Sequence, residues 1–116
     1  MSGISIYHNP RCSKSRQTLA LLEQQGITPE VIDYLKTPPT PEMLRSILNQ
    51  LGINARQLLR KNEVIYKELN LADEALSDQQ LIQAMCEHPK LIERPIVINN
   101  GIAKIGRPPE AVLEII

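Results

Sequence analysis

Aromatic side chains are nearly absent, with no tryptophan, no phenylalanine and three tyrosines in 116 residues. The core must therefore be aliphatic, and there is no platform of rings on which exposed bases could stack. Net charge is absent as well. The 13 basic residues cancel the 13 acidic ones, so no overall field exists to hold a nucleic acid, and any positive surface must be local. No apolar run approaches the ~18 residues of a membrane span, and no basic leader precedes a long apolar stretch. No membrane association is expected, and the location expected is cytoplasmic. Cysteine is scarce: Cys12 and Cys86 are too few for a disulfide scaffold. With only His8 and His88 to assist them, the spacing has no zinc signature, so neither a bound metal nor a bound cofactor is expected.

What is present is enough for one compact domain that buries about two-thirds of its unfolded surface. Ile4-Ser5-Ile6-Tyr7 alternates as a half-buried strand does, and Ser15 to Gln25 carries Leu19, Leu21 and Leu22 at helical spacing, with Gly26 as its stop. Pro29 to Tyr34 reads as a second short strand, completing a βαβ unit. Thr40-Pro41-Glu42 is a helix start, and Met43, Leu44, Ile47, Leu48 and Leu51 form the apolar face that follows, up to Gly52. Asn54 caps a shorter helix with Leu58 and Leu59. Ser77 begins another, with Leu81, Ile82 and Met85 on one face and Pro89 ending it. Arg94 to Ile98 and Ile102 to Ile105 read as strands joined at Asn99-Asn100-Gly101, a type I′ turn signal, before a short closing helix through Ala111, Val112 and Leu113. The pattern is βαβ, a helical insert at about residues 41–92, then ββα. It predicts a single α/β domain on a mixed four-stranded sheet.

Cys12 stands between the first strand and the first helix, in His8-Asn9-Pro10-Arg11-Cys12-Ser13-Lys14-Ser15-Arg16. Unpaired backbone N–H groups and the positive end of a helix dipole favour a thiolate there, and Arg11, Lys14 and Arg16 add positive charge. A free cysteine is often a small buried hydrophobe, but this basic, polar segment is a poor piece of core. A Cys-x-x-Cys redox pair would need a second cysteine at position 15, where Ser15 stands, so the electrons must come from another thiol.

Arg60, Arg94 and Arg107 each lie at an element's end, the last two beside a proline, where a guanidinium can grip an oxyanion in bidentate fashion. His8, four residues before Cys12, either lowers the thiol pKa as a cation, takes its proton as a neutral base, or is a structural histidine capping the strand end. His88 reads as a helix-end cap and Cys86 as filler of the core or its edge.

The segments Tyr7 to Arg16, Leu58-Leu59-Arg60-Lys61-Asn62, His88 to Val97 and Gly106-Arg107-Pro108 together resemble the glutaredoxin-coupled arsenate reductase family, nearly end to end and in the right order. The resemblance implies a thioredoxin-like fold. It implies Cys12 as nucleophile, His8 favouring its thiolate, and Arg60, Arg94 and Arg107 binding the oxyanion. It also implies arsenate as substrate, glutathione as co-substrate, glutaredoxin as partner, and a cis peptide bond at Arg94-Pro95. Two other readings share the fold. One is a monothiol oxidoreductase acting on another oxyanion or on a glutathionylated substrate. The other is a non-catalytic Spx-like regulator that binds RNA polymerase, against which Ser15 counts because that switch uses a Cys-x-x-Cys pair.

Overall fold

Alternation of Ile4 and Ile6 against Ser5 makes β1 (Ile4–Tyr7) a strand with one apolar face, and both isoleucines are buried. The computed structural model describes residues 3–116, which fall into two compact units. Residues 3–37 and 94–116 form the first, the sheet unit. It holds β1, α1 (Ser13–Gln24), β2 (Glu30–Ile32), β3 (Ile96–Asn99), β4 (Ile102–Ile105) and a closing 3₁₀ helix (Pro109–Ile115). The strand order is β2-β1-β3-β4. β1 and β2 run parallel with Ile6 opposite Val31; β3 is antiparallel to both β1 and β4, with Val97 opposite Ile6 on one side and Lys104 on the other. The sheet is mixed and four-stranded, as the sequence predicts.

Ile4, Ile6, Leu22, Val97 and Val112 form the core of this unit, with Leu19, Ile27 and Ile115 packed against it. The closing helix lies on both α1 and β4, and Asn99 Nδ2 donates to the Ile115 carbonyl at 2.6 Å to hold its end. Some expectations need correction. β2 is shorter than residues 29–34, because Asp33 turns the chain: its carbonyl accepts from Lys36 N and Thr37 N, and its Oδ1 from Leu35 N. The closing segment is 3₁₀ rather than α, following the paired Pro108 and Pro109. The buried stripe of α1 is Ser15, Thr18 and Leu22, so two hydroxyl residues rather than Leu21 take the inner positions near its start. The β3–β4 turn is as expected, with Asn100 and Gly101 at φ 52° and 80°, the pair of left-handed conformations that a type I′ turn requires.

Residues 38–93 form the second, helical unit, with α2 (Pro41–Leu51), α3 (Ala55–Leu58), α4 (Val64–Glu68), α5 (Asp78–Glu87) and a 3₁₀ turn at Pro89–Leu91. Thr40 caps α2 by accepting from Met43 N. Asn54 with Gln57, and Ser77 with Gln80, form reciprocal capping boxes at α3 and α5. α2, α3 and the 3₁₀ turn all pack on α5, and Leu44, Ile47 and Leu48 of α2 and Leu81, Ile82 and Met85 of α5 are buried. Met43, predicted on the apolar face, is 46% exposed. α4 was not expected; it has only five residues and its N-cap, Glu63, makes no side-chain capping bond. All three tyrosines are buried, Tyr66 here and Tyr7 and Tyr34 in the sheet unit.

Candidate active site

Pro10 cannot extend β1, and Asn9 shapes the turn that follows it. Asn9 Oδ1 accepts from Arg11 N at 3.0 Å and its carbonyl accepts from Cys12 N at 3.0 Å. The turn delivers Cys12 as the N-cap residue of α1, with extended backbone at φ −93° and ψ 124°. No acidic residue occupies the first turn of α1, and Sγ makes no short capping bond. The sulfur is thus the group that meets the unsatisfied N–H groups and the positive pole of a 12-residue helix.

Two arginines of the same unit face it. Arg107 Nη2 lies 3.9 Å from Cys12 Sγ, across 95 residues of sequence. Arg107 Nε donates to the Arg94 carbonyl at 3.0 Å. Arg94-Pro95 is a cis peptide, as the resemblance implies, and Arg107-Pro108 is a second, unexpected one. The loop carrying Arg107 is drawn in at Gly106, whose N–H donates to the Pro95 carbonyl at 2.9 Å. A Cβ on Gly106 would fall 2.6 Å from Thr18 Oγ1 and 2.8 Å from Pro95 Cγ, so only glycine permits this approach.

Burial alone pushes the Cys12 thiol up. The Ser15 backbone N–H, the Arg94 charge, the Lys14 backbone N–H and the Arg107 charge together outweigh it, and hold the thiol below its ordinary value. Cys86 behaves oppositely: burial, then Glu87, push its thiol up, with Arg45 a partial offset. The two thiols are therefore shifted in opposite directions, and Cys12 is the more readily ionised of the two.

His8 is buried and its Nδ1 lies 2.6 Å from Ser15 Oγ. Burial pushes its pKa down, Asp33 pulls it up, and Arg16 pushes it down again; the balance falls below the ordinary value. Arg60 belongs to the helical unit. Its N–H donates to the Leu91 carbonyl at 2.8 Å beside the isolated bridge between Leu59 and Ile92, and its Nη1 is 3.1 Å from Glu63 Oε2. His88 is the residue that closes α5, donating its N–H to Ala84 at 2.8 Å. Among the described residues no group of three or more His, Cys, Asp or Glu is placed to hold a metal ion, and no helix is long and apolar enough to cross a membrane.

The sheet unit thus brings together Cys12, Arg94 and Arg107 from the predicted set, with His8 joined to Ser15. Sequence reasoning passed over Ser15 except as a missing cysteine, passed over Thr18 altogether, and took Gly106 only as part of the Gly106-Arg107-Pro108 segment. A signal for Ser15 existed in its helical register with Thr18 and Leu22, which marks one inward face.

The arrangement supplies a depressed thiol at a helix N-terminus beside fixed guanidinium groups, a combination suited to attack on an oxyanion. Comparison with known proteins agrees with it. The sequence profile of the ArsC family matches residues 7–115. The chain is 54% identical to an arsenate reductase of Haemophilus influenzae over 98% of this chain and 99% of that one. It is 61% identical to the uncharacterised protein YfgD of Escherichia coli K12 over 97% and 96%. The solved structure of an arsenate reductase from Vibrio cholerae superposes with a TM-score of 0.96 at 62% identity, covering 97% of each chain.

Proposed function

The chain belongs to the ArsC family, and from that premise we propose that it reduces arsenate to arsenite by way of a covalent adduct on Cys12, with glutathione and glutaredoxin supplying the electrons. Its mixed four-stranded α/β sheet is the thioredoxin-like fold expected from the sequence. The observation that carries the reading is Cys12 itself, a thiol held below its ordinary value at the N-terminus of α1 with Arg107 3.9 Å away.

The Cys12 thiolate attacks arsenic(V), forming the S–As bond as one arsenate oxygen leaves as water after protonation. Thiolate and arsenate are both anions, so the approach needs fixed positive charge. Arg94 and Arg107 supply it without reorganising at the moment of reaction. Ser15 cannot resolve the adduct, having no thiol. A glutathione thiolate therefore attacks Cys12 Sγ, the S–As bond breaks with its electron pair passing to arsenic, and arsenite is released as the Cys12–glutathione disulfide forms. Glutaredoxin then takes the glutathionyl group and returns Cys12 as thiolate. Two electrons pass from two thiols to one arsenic. Such chemistry needs a reducing compartment, which assigns the protein to the cytoplasm. His8 and Arg60 complete the set that the family resemblance implies, the first acting on the thiolate and the second on the oxyanion.

The deciding experiment is NADPH consumption coupled through glutathione reductase, glutathione and glutaredoxin, with arsenate added to wild type and to Cys12→Ser. Arsenate-dependent turnover in wild type and none in the variant supports the reading. Turnover of a glutathionylated substrate without any of arsenate would transfer the same thiol to a different reaction.

A further inference from the structure

We propose that Ser15 is a positioning residue for the Cys12 thiolate: its hydroxyl ties the first turn of α1 to the end of β1 and selects the His8 tautomer that carries its proton on Nε2. The geometry rests on a three-membered cluster. Ser15 Oγ accepts from Asn9 N at 3.0 Å and lies 2.6 Å from His8 Nδ1. Ser15 is fully buried and His8 is 6% exposed, so water cannot stand in for a missing partner.

A hydroxyl has one proton and two lone pairs. One lone pair is used by the Asn9 N–H. If the hydroxyl proton points at Nδ1, the Asn9 N–H, the Ser15 hydroxyl and His8 Nδ1 are all satisfied, provided Nδ1 is bare and the imidazole neutral. If Nδ1 carried a proton it would have to donate to Oγ, and the hydroxyl proton would then need another acceptor at a fully buried position, an unfavourable arrangement. The charges facing His8 are Asp33, which favours protonation, and Arg16, which opposes it, and burial adds to the latter. The neutral ring follows.

The consequence reaches Cys12 through the backbone. The Ser15 N–H is one of the groups that hold the thiolate, and the side chain of the same residue is anchored at both Asn9 and His8. Removing the hydroxyl leaves that N–H present but its turn unanchored, on the segment whose position sets the thiol's proton affinity. His8 then acts on Cys12 by fixing Ser15, and not by contributing a positive charge.

The inference rests on Cys12 being the reacting thiol, but neither of its readouts uses arsenate, so its failure and that of the reductase reading are separately visible. The first readout is two-bond ¹H–¹⁵N NMR of the imidazoles at neutral pH, with His8 assigned by comparison with His88→Gln. The expected spectrum shows His8 with an unprotonated Nδ1 and a protonated Nε2 in wild type, and tautomer averaging in Ser15→Ala. The second is the pH midpoint of Cys12 alkylation by iodoacetamide in a Cys86→Ser background, which should move upward in Ser15→Ala and slow alkylation several-fold at neutral pH. A wild-type His8 protonated on Nδ1 overturns the proposal even if Ser15→Ala does not fold. So does a Ser15→Ala protein that loses thermal stability with an unmoved alkylation midpoint, since the hydroxyl would then serve the fold alone.

Discussion

Arg107 donates its Nε–H to the main-chain carbonyl of Arg94 at 3.0 Å, which joins two cations of one site without neutralising either. The same side chain places Nη2 3.9 Å from Cys12 Sγ. A lysine has no equivalent of Nε and binds an oxyanion as a point charge rather than a fork. Arg107→Lys is therefore expected to keep the charge that helps depress the thiol but to lose arsenate affinity, while Arg107→Ala loses that share of the depression as well as the affinity. Measured as kcat/KM for arsenate, the alanine variant should fall by about 100-fold or more. The lysine variant should fall between it and wild type, with its change concentrated in KM. Equal values for lysine and wild type would remove orientation from the account.

His8 links pH to stability with a definite sign. Its folded pKa lies below its ordinary value of 6.5, so between the two the unfolded chain binds the proton more readily and folding opposes it. The contribution is whole above 6.5, drains as the pH falls through the folded pKa, and is flat below that. His8→Gln should flatten this acid limb, read as Tm across pH values from neutral to acidic. An unchanged limb would assign the acid sensitivity to other groups.

Much of this architecture is legible in local sequence because its determinants are local. The alternation of Ile4 and Ile6, the Thr40-Pro41 start, the capping pairs of Asn54 with Gln57 and Ser77 with Gln80, and the Asn100-Gly101 turn each act within a few residues. Cys12 belongs with them, since a turn and a helix N-terminus are sufficient to mark it. The site around it is less legible. Nothing short of the fold shows that Arg107, 95 residues away, reaches Cys12, or that Gly106 matters through the closeness of Thr18 and Pro95. The hydroxyl face of α1 was obscured because leucines dominate a periodicity count, while Ser15 and Thr18 are buried by hydrogen bonding, Ser15 with His8 and Asn9 and Thr18 with the Lys14 carbonyl. α4 escaped for want of length and of a capping side chain.

Arg60 is paired with Glu63 at 3.1 Å, with side chains 22% and 25% exposed. A pair with that much access to water is worth about 0–1 kcal/mol. Glu63→Gln should accordingly leave Tm nearly unchanged. Because the same carboxylate would compete with an oxyanion for the guanidinium, the variant is also expected to lower the KM for arsenate, whereas Arg60→Ala raises it. A Glu63→Gln protein with a higher KM would mean that Glu63 orients Arg60 instead of competing for it.

Gly106 places Arg107 by proximity and not by unusual backbone. Its N–H bonds to the Pro95 carbonyl at 2.9 Å, and a methyl group there would fall 2.6 Å from Thr18 Oγ1, 2.8 Å from Pro95 Cγ and 3.1 Å from Thr18 Cγ2. Thr18 cannot yield freely, because it is fully buried and its hydroxyl donates to the Lys14 carbonyl at 2.8 Å in the first turn of α1. Something must shift, either the Arg107 loop outward or the turn that carries Cys12. Gly106→Ala should therefore cost about 1–3 kcal/mol, the usual penalty of overpacking. It should also raise the Cys12 alkylation midpoint, because both ways of relieving the clash draw a positive group from the sulfur. Thermal unfolding and the alkylation profile on one sample separate the two effects. A lowered Tm with an unmoved midpoint would show that the strain is absorbed away from the thiol, and that Arg107 is held by its bond to Arg94 rather than by the glycine before it.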